Sequence, residues 1–197
     1  NRGDRVVEGN KAGIDTVRSS IHWTMAKGVE ELVLTGKKNL HAVGNAADNV
    51  ITGNSGANVL EGRAGDDTLD GGRGDDQLVG GNGNDQLVGG KGNDALFDDQ
   101  GDDTLDGGEG NDALSGGGNW DALYGSEGND TLDGGDGGDT LDGGSGDDIL
   151  YGQNNDDTLV GGEGSDEVWA GGAAAEGRTF AFGDHLWGDA QSGPGGG

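Results

Sequence analysis

The sequence predicts an all-β fold: a right-handed parallel β-roll, or β-solenoid, of nonapeptides stacked two to a coil behind a β-rich N-terminal cap. Three observations predict it. From Gly44 to Trp169, fourteen consecutive blocks of nine keep one register close to G-G-x-G-x-D-x-L-x, as in "GGRGDDQLV", "GGNGNDQLV" and "GGKGNDALF". The eighth position is aliphatic in all fourteen blocks, and the sixth is Asp in twelve. A unit this short cannot bury a face alone, so it makes a fold only by stacking on its neighbours.

Composition narrows the alternatives. The chain has 197 residues, room for one ordinary domain, yet 29% are hydrophobic and 48 are glycine, too little apolar surface for a conventional core. A net charge of −27 with only 11 Lys and Arg excludes nucleic acid and anionic membrane surfaces as partners. Such a composition alone suggests disorder, but a solvated acidic tail has no reason to place Leu at every ninth position. Cysteine is absent, which excludes disulfides and thiolate metal sites and is compatible with an exported bacterial protein. No apolar run is long enough to span a bilayer, so direct membrane insertion is not expected, and there is no amino-terminal signal peptide. Beginning at Asn1 and ending in "SGPGGG", the chain reads as a monomeric piece excised from something longer.

Residues 1–43 precede the repeats and form the cap. "GIDTVRSS" and "VEELVLTG" have the β-branched content and near alternation of short strands, separated by "IHWTMAKG". His22, Trp23 and His41 read as packing or surface residues rather than a ligand site.

Residues 44–169 form the roll. In an extended x-L-x tripeptide the middle side chain faces away from its neighbours, so the column from Ile51 and Leu60 to Leu159 and Val168 points inward. The six residues before each strand read as a turn whose glycines supply positive φ and close backbone approach.

The sixth position carries the chemistry. With nonapeptides alternating between two sheets, residues 18 apart lie on one edge, one coil above the next. One edge carries Asp67, Asp85, Asp103, Asp121, Asp139 and Asp157; the other carries Asp76, Asp94, Asp112, Asp130, Asp148 and Asp166. Asn58 and Asn49 hold the same position in the first two blocks. Carboxylates stacked about 4.8 Å apart repel one another unless cations lie between the layers. The donors on offer are carboxylate and turn carbonyl oxygens, without thiolate or nearby imidazole. Hard oxygens in flexible loops suit Ca²⁺; Mg²⁺ demands tighter octahedral geometry and Zn²⁺ wants His or Cys. Ten Asp–Asp steps imply about ten Ca²⁺, with weaker steps at Asn49 and Asn58, and these ions would offset most of the −27. Two Leu per coil cannot offset the ordering entropy of 18 residues, so metal binding is expected to be coupled to folding.

The nonapeptide, together with the order D-T-V-x-S-S, W-T-M and V-E-x-L-x-L-T-G ahead of it, resembles the RTX (haemolysin-type) calcium-binding repeat proteins of bacteria. The resemblance implies that the lead-in forms the first turns of the solenoid. It also implies type I secretion, with a chain that stays unfolded in calcium-poor cytosol and folds outside the cell, either secreted or at the bacterial cell surface.

Three blocks depart from the pattern. "DDQGDDTLD" at Asp98 lacks the glycine pair, "GGGNWDALY" places Asn119 and Trp120 in its turn, and "GQNNDDTLV" has Gln153 and Asn155 where Gly is usual. These loops are expected to bind more weakly or to bulge. Position-five residues such as Asp66, Asp75, Asp102, Asp147 and Asp156 read as turn-forming. Val79, Phe97, Tyr151 and Trp169 share one face with Ser115 and Asp133 and read as solvent-facing filler or a contact with a neighbouring domain. Residues 170–182 read as an interruption and 183–197 as the start of a second, truncated array, with His185 outward and outside any metal site.

The chain contains no H-E-x-x-H, no G-x-S-x-G and no convergent acid, base and nucleophile, so it reads as non-catalytic. The expected function is a calcium-binding structural module of a secreted bacterial protein whose partners are calcium ions and the neighbouring domains of a parent chain. The alternatives are the tail of a secreted hydrolase or epimerase that aids its substrate binding, and an adhesin or surface-layer spacer.

Overall fold

The structure is a computed structural model that describes residues 5–7, 13–171, 178–180 and 185–187. Among the described residues every regular element is a strand, and the strands lie in two sheets, one of eleven and one of ten. From Thr16–Ser19 onward, successive strands alternate between the sheets. Nine residues carry the chain from one sheet to the other and eighteen bring it back, so the repeats pair in parallel at that offset, Gln86 with Thr104 and Leu87 with Leu105. The expected solenoid is therefore what the register builds.

Leu60, Leu69, Leu78, Leu87, Leu96 and Leu105 are each 0% exposed, and the column continues to Val168 in a single hydrophobic cluster. Each coil contributes one such residue from each sheet. The apolar core is thus a thin double file with no reserve beside it.

The strands are longer than the sequence suggests. Most span six residues, as in Thr104–Glu109, rather than an x-L-x tripeptide, and burial alternates along them, with Leu105 and Gly107 inward. The glycine pair therefore lies within the strand, and the turn shrinks to positions four to six. Period-two alternation puts position one on the same inner face as the Leu two residues before it. The interior is too narrow there for a side chain: a Cβ on Gly89 would lie 2.5 Å from Asp94 Oδ2 and 2.6 Å from the Gly107 carbonyl oxygen. Pairing skips this residue, passing from Val88 opposite Asp106 to Gly90 opposite Gly108. Gly90 then adopts φ 106°, a left-handed conformation that Arg63, Ser126 and Gln153 must adopt at the equivalent position.

The lead-in forms the first coils. Strands Thr16–Ser19 and Glu31–Leu34 lie within "GIDTVRSS" and "VEELVLTG" and pair in parallel, Thr16 with Glu31. The separator "IHWTMAKG" holds a further strand, Trp23–Thr24, which pairs with His41–Val43 in the other sheet. Two residues carry too little alternation to reveal it. Val17, Met25, Val29, Leu32, Leu34, Leu40 and Ala42 join the column, with Trp23 packed against them, and close its end. Arg5–Val7 pairs antiparallel with Thr16–Ser19, the one antiparallel pairing among the described strands. His22 Nδ1 accepts the His41 N–H at 2.9 Å, and His41 Nε2 lies 2.9 Å from Glu61 Oε1.

At the other end, Arg178–Phe180 pairs with Thr158–Glu163, and His185–Trp187 pairs with Glu167–Trp169. The stretch read as an interruption thus contributes a strand, and both strands extend the same two sheets. The remainder of 170–182 and 183–197, and the His185 side chain, lie outside the described residues.

Two substitutions test the economy of this core. Leu105→Ala is expected to cost about 2–5 kcal/mol, because no second apolar layer can close over the gap. Gln153→Gly, which relieves φ 71°, is expected to stabilise by about 1 kcal/mol. Denaturant unfolding under identical ionic conditions checks both.

Candidate metal centres along two edges

Each strand of the roll begins directly after its position-six residue, which ends the turn facing inward at the sheet margin. On both edges these residues form ladders. The Asp67 N–H donates to Asp85 Oδ1 at 2.7 Å, Asp85 to Asp103 at 2.8 Å, and Asp103 to Asp121 at 2.9 Å. On the other edge Asp76 donates to Asp94 at 2.6 Å, Asp94 to Asp112 at 2.7 Å, and Asp112 to Asp130 at 2.7 Å. The pattern continues through Asp139 to Asp157 and through Asp148 to Asp166. The structure thus brings together all twelve aspartates that the sequence singles out. The short Asp side chain reaches back to the preceding coil's turn with one oxygen.

The other oxygen has no such use. From Asp67 to Asp157 on one edge, and from Asp76 to Asp148 on the other, Oδ2 is buried with no hydrogen-bond partner. The residues themselves are almost fully buried, Asp67 at 1% and Asp112 at 3% exposure. Burial therefore pushes these carboxyls above their ordinary range, reinforced by neighbouring carboxylates and opposed by the backbone hydrogen bonds. Asp67, Asp76, Asp121 and Asp130 rise to about 7. Asp94, Asp103, Asp148 and Asp157 rise to about 6, and Asp85, Asp112 and Asp139 also shift upward. An ionised carboxylate buried without a donor is costly, and a cation removes that cost.

The surroundings suit a hard cation. At Gly71, as at Gly89, the space that a Cβ would fill is bounded by a carboxylate and a carbonyl oxygen: Asp76 Oδ2 and Gly89 O, each 2.7 Å away. The donor set is oxygen only, anionic and neutral, as Ca²⁺ prefers, and a glycine keeps the space open. Position six would supply the carboxylates and position one the carbonyls.

Asn49 and Asn58 differ. Each donates its N–H to the next coil's Asp, Asn49 to Asp67 Oδ1 at 2.7 Å and Asn58 to Asp76 Oδ1 at 2.6 Å. Their carboxamides meet neutral partners: Asn49 Oδ1 accepts the Asn45 N–H and its Nδ2 donates to Val29 O, while Asn58 Oδ1 accepts the Asn54 N–H. Both ladders thus start from uncharged, hydrogen-bonded ends.

Position five makes a second pair of ladders of opposite sense. Asn84 N–H donates to Asp66 Oδ1 and Asp102 N–H to Asn84 Oδ1; across the roll Asn93 donates to Asp75 and Asn111 to Asn93. Asp and Asn interchange here because one acceptor oxygen suffices, and these turns are exposed, which agrees with a turn-forming role. Asp or Asn holds position five in ten of the fourteen blocks, which is visible in the sequence; the bond to the neighbouring coil is not. Trp120 breaks this series as an acceptor, donating its N–H to Asp102 Oδ1 and standing 73% exposed.

Asp98 is the functional candidate that sequence reasoning missed. Read as a broken glycine pair, it occupies the inward position one, 6% exposed, and burial raises its carboxyl to about 8. Counting two residues on from inward Leu96 would have placed it on the core side.

The family model described as "RTX calcium-binding nonapeptide repeat (4 copies)" matches residues 43–78, 79–114, 97–132, 115–150, 133–168 and 151–174. No curated protein matches the chain.

The raised carboxyls set a pH dependence. An unfolded Asp titrates near 3.8, so without metal the folded state holds more protons than the unfolded one up to about 7, and its stability falls as pH rises through that window. In chelator, the β signal in circular dichroism is therefore expected to be strongest near pH 4 and lost as pH passes about 6 to 7. A signal that rises with pH over this range would contradict the assignment.

Proposed function

The chain belongs to the RTX calcium-binding nonapeptide repeat family, and we propose that its two aspartate ladders fold the roll by taking up Ca²⁺ between coils. The observation that carries this reading is the row of buried, unpartnered Oδ2 atoms, repeated once per coil on each edge. Asp67, Asp85, Asp103, Asp121, Asp139 and Asp157 hold one row of ions and Asp76, Asp94, Asp112, Asp130, Asp148 and Asp166 the other. Position-one carbonyls complete the donors. One ion per Asp–Asp step makes about ten; the steps at Asn49 and Asn58, already supplied with hydrogen bonds, bind more weakly.

The biological role follows from coupling. Without calcium the chain carries −27 and a core two residues wide per coil, so self-repulsion keeps it unfolded. Where calcium is abundant the same chain becomes a rigid rod. That difference suits a module of a secreted bacterial protein that crosses type I machinery unfolded and then orders outside the cell, stabilising whatever domains are attached to it. The module itself does no catalysis in this reading; calcium binding is its activity.

Titrating Ca²⁺ into chelated protein at neutral pH is expected to produce a cooperative gain of β signal at millimolar or lower concentration, with Mg²⁺ a poor substitute. No gain, or an equal gain with Mg²⁺, would refute it. Asp112→Ala is expected to remove or weaken two neighbouring sites on its own edge, above and below, while the opposite edge stays loaded. A calorimetric stoichiometry equal to that of the unaltered protein would contradict stacked sites.

A further inference from the structure

The array is not uniform. At an ordinary layer, the slot beside a position-one glycine is bounded by one carboxylate and by the carbonyl oxygen of the next coil, as at Gly89 with Asp94 Oδ2 and Gly107 O. At Gly80 the next coil supplies Asp98, and a Cβ built there would collide with Asp98 Oδ2 and Asp85 Oδ2 instead. A charged oxygen has replaced a neutral one.

Asp98 is held for this position. Its Oδ1 accepts the N–H groups of Gly81 and Asp99, both at 2.9 Å, which orients the carboxylate and leaves Oδ2 buried with no hydrogen-bond partner. One oxygen from each of Asp85, Asp98 and Asp103 lies within 4.8 Å of the others, and all three residues are buried. No other group of three such residues converges this closely among the described residues.

We infer that Asp98 turns the Asp85–Asp103 step into a distinct three-carboxylate cation site, the tightest in the array, with a preference for trivalent lanthanide ions over Ca²⁺. The inference rests on the reading of the ladders as calcium sites. Its physical basis is the count of ligand charge: affinity in oxygen-donor sites rises with the number of carboxylates and with rigidity. This step has one carboxylate more than its neighbours, already fixed by two backbone donors. Lanthanide ions share calcium's demand for hard oxygens and carry one more charge, so the added carboxylate favours them more here than at any other layer. The block that looks like a flaw in the repeat is then its strongest point of metal attachment.

The test uses the calcium-loaded chain dialysed against rising terbium, with bound terbium and calcium counted by elemental mass spectrometry. The unaltered protein is expected to exchange one ion per chain at terbium about tenfold or more below that needed for the rest. Asp98→Gly, which restores the repeat, and Asp98→Asn, which keeps the side-chain volume, are each expected to lose that early step while keeping calcium at the other layers. If Asp98→Gly does not fold, Asp98→Asn gives the same readout. An early terbium step that persists in both variants would overturn the inference. So would one additional calcium bound by Asp98→Gly, since Asp98 would then be filling the slot in place of an ion. Failure of the underlying calcium reading looks different: the unaltered protein would hold no calcium before any terbium is added.

Discussion

Buried carboxylate oxygens, repeated once per coil and facing no hydrogen-bond donor, are the constraint on which the rest of the roll depends. Stacked strands fix their spacing at about 4.8 Å, so the charges cannot move apart without unpairing the sheets. Neutralisation must come from protons or from metal ions, and at neutral pH the burial-raised carboxyls are only partly able to keep protons. Several features of the sequence answer this one demand. Glycine at position one leaves the interior open beside Oδ2. The strand skips a pairing there, and Asp rather than Glu keeps the carboxylate close to the turn it bridges.

The thin core is the other side of the same arrangement. A full hydrophobic layer would stabilise the coils without metal and so abolish any dependence on it. One inward aliphatic side chain per nonapeptide is enough to fix register, since a slip of one residue would turn every Leu outward, but not enough to drive folding alone. Register and stability are thereby separated. Leucine specifies which residues stack; the charged edges decide whether they do. The outer ladders at position five add hydrogen bonds between turns without further buried charge, which is why Asp66, Asn84 and Asp102 interchange along one edge.

Much of this was legible in the sequence because a nine-residue period converts directly into geometry. The inward Leu column, the two edges and the offset of 18 follow from alternation and counting alone. What remained hidden had physical causes. The strands proved six residues long because glycine carries no side chain to reveal alternation, so Gly107 could not be seen to face the core as Leu105 does. Strand Trp23–Thr24 was too short to show a period. Asp98 looks like a defect because its block lacks the glycine pair, and only the fold shows its carboxylate meeting Asp85 and Asp103. The aromatic residues Tyr151 and Trp169, read as surface filler or a neighbour contact, do stack, with ring centroids 6.4 Å apart.

A crystal structure of the calcium-loaded chain, with anomalous difference density collected to locate the ions, tests whether the two aspartate edges hold calcium. Two rows of peaks are expected, one along each edge, spaced by one coil and lying about 2.3–2.6 Å from position-six carboxylate oxygens. Density confined to the exposed position-five carboxylates, or an ordered roll with both inner rows empty, would contradict it.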